Sequence, residues 1–255
     1  MKKRLVTLII LGVVMFLFSG CIVYRGNSTC FGDGKIAAKE ELLSAADYQL
    51  IVKDIQFSAS KQDRAFIVID EALEDKLALT TDQNILDTIS ISVDAKKRII
   101  EVKGKKGERY DFSSFKIEMG CPVRALQIDG GYSVDLDLPS ITDFAAVING
   151  AIAGDFTFDR LNTFSIMING ASDIKLTGEC AKSTAVVNGA SNIRAYDFIT
   201  EDSSIELSGA SNYQVYVTGT LDGIIQGIGA ITYTGSPQAI NRKIGGLGII
   251  KEKDS

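Results

Sequence analysis

One corner recurs six times between Gly130 and Gly229, and it constrains the fold more than any other feature of the chain. Segments end in Asp129-Gly130, Asn149-Gly150, Asn169-Gly170, Asn188-Gly189, Ser208-Gly209 and Ile228-Gly229, with the glycines 20, 20, 19, 20 and 20 residues apart. A small residue follows each: Gly131, Ala151, Ala171, Ala190, Ala210 and Ala230. A fixed period of this length marks a repeat architecture.

The columns of the repeat identify its secondary structure. Two before each glycine stand Ile128, Ile148, Ile168, Val187, Leu207 and Gly227, and four before stand Leu126, Ala146, Ile166, Ala185, Ile205 and Ile225. Four after come Val134, Gly154, Ile174, Ile193, Tyr213 and Tyr233. Apolar and polar residues alternate on both sides of the corner, the period of a strand with one buried face. Each unit therefore reads as strand, tight corner, strand and wider return. Parallel crossovers are almost always right-handed, so the expected fold is all-β: a right-handed parallel β-helix, or β-solenoid, with about 20 residues per rung. Asn and Gly tolerate positive φ at the corners, and the small residue after each glycine would let rungs stack closely. Asn149, Asn169 and Asn188 are placed to form a side-chain hydrogen-bond ladder.

The run from INGASDIKLTGEC to IELSGASNYQVYVTG, with the closing Gly229-Ala230-Ile231-Thr232-Tyr233-Thr234-Gly235-Ser236-Pro237 and Gly245-Gly246-Leu247-Gly248, resembles the head GIN domain, a family described as an auto-transporter adhesin head. The resemblance covers Val123 to Lys251 and extends more weakly over Tyr48 to Gly104. It implies a β-solenoid body in an exported or lipid-anchored bacterial protein, and it carries no catalytic residue set. Ser208-Gly209 and Ile228-Gly229 depart from the Asn-Gly corner.

Composition removes several chemistries. Histidine is absent, so there is no Ser-His or Cys-His dyad, no histidine metal ligand and no ordinary neutral-pH proton shuttle. A net charge of −5 gives no basic footprint, which argues against nucleic acid as a partner. No motif calls for a metal or another cofactor.

At its start the chain reads as an export signal over residues 1–21. Lys2, Lys3 and Arg4 form a basic stretch, Leu5 to Phe18 an apolar run, and Phe18-Ser19-Gly20-Cys21 resembles a lipobox. Cys21 would then be the lipidated N-terminus and the membrane the partner it holds. The competing reading is an uncleaved anchor, although the run is short for a span. Ile22 after the cysteine favours the outer membrane. Residues 22–47 form a tether, with a short helix expected over Lys35 to Tyr48. Residues 48–119 form a β region that caps or begins the coil, and residues 120–251 hold the repeats. Once Cys21 is lipidated three thiols remain. Either a Cys30–Cys121 disulfide pins the tether to the first rung, or all three thiols stay unreactive.

Outward columns become surface rows, where function would show. Five after each glycine stand Asp135, Asp155, Lys175, Arg194, Gln214 and Thr234, with Asp155 and Lys175 placed to pair. Seven after stand Asp137, Thr157, Thr177, Tyr196, Tyr216 and Ser236, so Tyr196 and Tyr216 would stack as an outward platform for a glycan or protein ligand. The leading expectation is a non-catalytic, adhesin-like binding or structural module of the cell envelope. The alternative is a carbohydrate-active enzyme using Asp135 and Asp155 on an outer face. A third reading is a partner that adds its sheet to another subunit through a terminal edge.

Overall fold

The structure, a computed structural model, describes residues 21–24, 27–57 and 65–254. The export signal over residues 1–20 and the Cys21 side chain lie outside that description.

Strands dominate throughout. A four-stranded sheet contains β1 (Cys21–Tyr24), β2 (Asn27–Phe31), β10 (Glu108–Asp111) and β5 (Gln56–Phe57), in that order. A thirteen-stranded sheet holds the rest. Its centre is β12 (Val123–Leu138) beside β13 (Asp143–Val217), paired parallel and in register: Ile128 against Ile148, Gly130 against Gly150, Leu136 against Phe156. β13 curls back on itself, bringing Asn169 beside Asn149 and Asn188 beside Asn169. Alternation is what forces the curl. Inward Phe164, Ile166 and Ile168 are buried while Ser165 and Met167 between them are exposed. A continuous strand keeps one face dry only by wrapping that face around a core.

The right-handed parallel β-helix, or β-solenoid, expected from the repeat is corrected by the structure. The architecture is an all-β curled half-barrel formed by a mixed sheet, with both parallel and antiparallel strands. Beyond β12 the sheet continues parallel through β4 (Tyr48–Lys53), β9 (Ile99–Lys103), β6 (Ala65–Asp70) and β11 (Phe115–Met119). It then turns antiparallel at β7 (Lys76–Asp82), β3 (Ile36–Leu42) and β8 (Ser90–Asp94). The 20-residue period fixes which residues become neighbours within the repeats. It carries no information on the non-repeating strands, of which β7, β3 and β8 join the same sheet by antiparallel pairing.

The short helix expected over Lys35 to Tyr48 is also corrected. Helix-forming residues there make β3, because pairing with β7 outweighs a propensity worth only tenths of a kcal/mol per residue. The chain's one described helical turn is instead α1 (Gln83–Leu86), with Ile85 and Leu86 buried.

At the far end lie β14 (Thr220–Ile225), β15 (Ile228–Gly235), β16 (Ala239–Ile244) and β17 (Leu247–Glu252). Here the register slips by two. Ser211, not Gly209, lies against Gly229, and Gly227 takes the corner over Gly209, followed by Gly246 over Gly227. Gly229 therefore sits two residues past the corner. The cue was in the column where Gly227 stands among isoleucines, a valine and a leucine.

One core runs the length of the chain, from Cys30 to Ile250. Two aromatic groups anchor it. Phe57, Phe112, Phe115 and Tyr132 meet at the N-terminal end, and Phe144, Phe156, Phe158, Phe164 and Phe198 meet under the first repeats.

Candidate functional site

The corners build a regular face. Gly130, Gly150, Gly170, Gly189 and Gly209 stack backbone on backbone, each glycine lying against the carbonyl of the one before it. Beside them runs the expected amide ladder, and it starts from a carboxylate. Asn149 Nδ2 donates to Asp129 Oδ1 at 2.7 Å, Asn169 to Asn149 Oδ1 at 2.9 Å and Asn188 to Asn169 Oδ1 at 3.0 Å. Each asparagine spends one amide N–H on the ladder and keeps a second. The repeat therefore presents amide donors at intervals of about 4.8 Å.

On the other side of the corner lies a shallow trough of about 420 Å³, whose floor is formed by Ala151, Ala153, Ala171 and Ala190. Ala153, Ala171 and Ala190 are exposed. The small residues thus point outward as a floor, while the close approach between repeats is made by the glycines. Asp173 stands on the rim, held by Asn192 Nδ2 at 3.1 Å and by Arg194.

Beneath the floor the corner N–H groups turn inward and need acceptors. Ser172 N–H donates to Ser191 Oγ and Ser191 N–H to Ser211 Oγ, both at 3.1 Å; Ser211 Oγ donates in turn to the Gly189 carbonyl. This buried serine column was not recognised in the sequence. Its signal is three serines at one offset, two residues after the glycine, where apolar residues would otherwise fill the core.

The outer rows differ from expectation. Tyr196 is half-buried, with Lys253 Nζ 4.6 Å from its ring centroid, and burial pushes its phenol up from the ordinary tyrosine range. The Tyr216 ring lies over Gly235, where an added Cβ would come within 3.0 Å of it. Among the described residues the two rings do not form the outward stack expected of them. Tyr216 is neighboured by Thr234 because of the register slip.

Asp135 and Asp155 are both exposed, and Asp135 Oδ1 accepts the Asp155 backbone N–H at 3.4 Å. Lys175 pairs with Asp197 at 3.4 Å, not with Asp155. Exposed pairs of this kind are worth about 0–1 kcal/mol and prepare no general acid. Among the described residues no group of three or more Cys, Asp or Glu is arranged to hold a metal ion.

The alternating strands, glycine corners and amide ladder have a counterpart in known proteins. The sequence profile of the family described as "Putative auto-transporter adhesin, head GIN domain" matches residues 61–237. The chain belongs to the head GIN domain family. Its fold is similar to that of a "putative adhesin" from Bacteroides fragilis, with 17% identity, a TM-score of 0.71, and coverage of 88% of this chain and 99% of that one. A "putative adhesin" from Parabacteroides distasonis matches with 20% identity and a TM-score of 0.61 over 88% of this chain and 100% of that one. A "putative lipid binding protein" from the same organism matches with 19% identity and a TM-score of 0.62 over 89% and 100%. At these identities the likeness carries the fold alone. No curated protein matches in sequence.

Two thiols of this head GIN chain can be placed chemically. Cys121 and Cys180 are free and buried, so the expected Cys30–Cys121 bridge is not formed. Cys121 Sγ instead lies 3.6 Å from Asp75 Oδ1 and 3.7 Å from the Ser44 carbonyl, and Cys180 Sγ lies 3.1 Å from the Lys182 carbonyl. Burial pushes both thiols up to about 11. At pH 8 about 0.1% of each would be thiolate, the reactive form. Peptide mapping after iodoacetamide treatment of native protein is expected to find both unlabelled, with full labelling after unfolding. Rapid labelling of the native chain would show that these thiols are accessible.

Proposed function

We propose that this head GIN protein is an exported, lipid-anchored component of the bacterial cell envelope, facing the periplasm or the cell surface from the outer membrane. Its non-catalytic binding face is the trough beside the asparagine ladder. The observation that carries this reading is the juxtaposition of an exposed alanine floor with a row of evenly spaced amides. The strands beneath are already paired on both sides, so a peptide backbone finds no free ladder there. The groups that remain are side-chain amides and the Asp173 carboxylate, a donor and acceptor set that suits a hydroxyl-rich chain such as a glycan. The family and relatives named as adhesins support binding over catalysis, and the exposed, unconfined Asp135 and Asp155 support it further. The basic start, apolar run and Cys21 support the anchor.

Binding of the purified protein to a glycan and polysaccharide array, with reducing-end release followed in the same wells, tests the reading. Saturable binding without release is expected. Ala171→Arg, which fills the trough from an exposed position, is expected to weaken it at least tenfold. Binding indifferent to Ala171→Arg would place the ligand elsewhere, and release lost in Asp135→Asn or Asp155→Asn would make the protein an enzyme. Metabolic labelling with a fatty-acid analogue tests the anchor: label that persists in Cys21→Ser would remove it.

A further inference from the structure

The two ends of the large sheet carry opposite charge on unpaired edges. At one end β16 and β17 pair, among the described residues, only inward, with β14 and β15. This edge bears exposed Arg242 and Lys243, and Leu247 is 80% exposed beside the exposed Ile228. At the other end β3 pairs, among the described residues, only with β7. It carries Glu40 and Glu41, with Ile36 exposed and Leu42 86% exposed. A sheet edge with unpaired N–H and C=O groups and apolar side chains is a template for another strand.

We propose that the chain associates head to tail with a second copy of itself, the basic β16–β17 edge of one copy adding to the acidic β3 edge of the next. Charge selects this arrangement. Two β16 edges meeting each other would bring Arg242 and Lys243 against like charges, which is unfavourable across a strand pair. An antiparallel register that sets Glu41 opposite Arg242 also sets Glu40 opposite Lys243 and Ile36 opposite Leu247. Lys39 then faces the uncharged Ile244. Glu40 is held at 3.1 Å by Lys76 and Arg242 by the Tyr233 hydroxyl at 3.2 Å, both exposed enough to exchange partners. Because the two surfaces differ, the contact is heterologous and repeats into chains or rings.

Disulfide cross-linking of two full-length variants in detergent, one Glu40→Cys and the other Lys243→Cys, tests the contact. The buried native Cys121 and Cys180 stay out of the reaction. The mixture is expected to cross-link between copies, and neither variant alone is expected to cross-link to itself. Adding Glu41→Lys to the first is expected to lower the yield at least tenfold, and Arg242→Glu on the second to restore it. Should either cysteine variant fold poorly, Leu42→Cys with Asn241→Cys probes the same register. No cross-link in either mixture, equal self-linking, or failure of the charge reversal to rescue would overturn the head-to-tail contact.

Discussion

Gly170→Ala is expected to destabilise the protein by about 3 kcal/mol or more, enough to unfold a marginally stable domain. Two costs add. A Cβ at residue 170 would lie 1.8 Å from the Gly150 carbonyl oxygen, a backbone atom that cannot swing aside. The residue also holds φ at 154°, which L side chains rarely adopt. Relieving the clash means parting two paired strands, and Asn169 and Asn149, whose amides lie 2.9 Å apart, part with them. The neighbouring Ala171→Ser is the control, an exposed change expected to stay within about 0.5 kcal/mol. Guanidinium unfolding followed by far-UV circular dichroism reads both. A midpoint for Gly170→Ala equal to wild type would mean that the corners do not set the spacing between repeats.

The glycine corners belong to the part of the fold that the sequence makes legible. Inward Ile128, Ile148 and Ile168 fall in one column because burial repeats with the strand period, and the amides fall in another because the corner repeats with them. Counting residues therefore locates neighbours. It fails where a unit loses two residues, since counting from Gly229 hides Gly227. It also fails where strands lack the repeat. β3 is written in helix-forming residues, and only its distant partner Thr80, Leu79 or Ala78 makes it a strand.

The site was legible in the same uneven way. The Asn ladder follows from spacing alone. Which way a small residue points beside a corner does not, so Ala171 and Ala190 read as spacers until the backbone shows them facing solvent. Tyr196 and Tyr216 fell in one column, yet side-chain direction depends on what lies on the next strand. Gly235 offers Tyr216 a flat seat, and Lys253 crosses the face of Tyr196 from a segment after the repeats. Rows predict adjacency and leave exposure open.

Asp82→Ala is expected to cost about 2–5 kcal/mol, the largest effect of any single polar substitution outside the repeats. Asp82 ends β7 with no measurable exposure. Its carboxylate does not cap α1 and reaches sideways to two loops instead. Oδ1 accepts the Gly34 N–H at 2.8 Å and Oδ2 the Ser113 N–H at 2.7 Å. The first loop joins β2 to β3 and the second joins β10 to β11, so one side chain ties together two of the crossings between the small sheet and the large one. Alanine leaves both N–H groups without their acceptor in a place water reaches poorly, at about 1–3 kcal/mol each. Asp82→Asn keeps one acceptor oxygen and turns an NH₂ toward the other N–H, so it is expected to lose at least half as much. Hydrogen exchange locates the loss: the amides of Gly34 and Ser113 should exchange faster in both variants, while the Asn169 and Asn188 segments keep their protection. Uniformly faster exchange across the repeats would instead mean that the two sheets unfold as one unit and that Asp82 supports the whole of it.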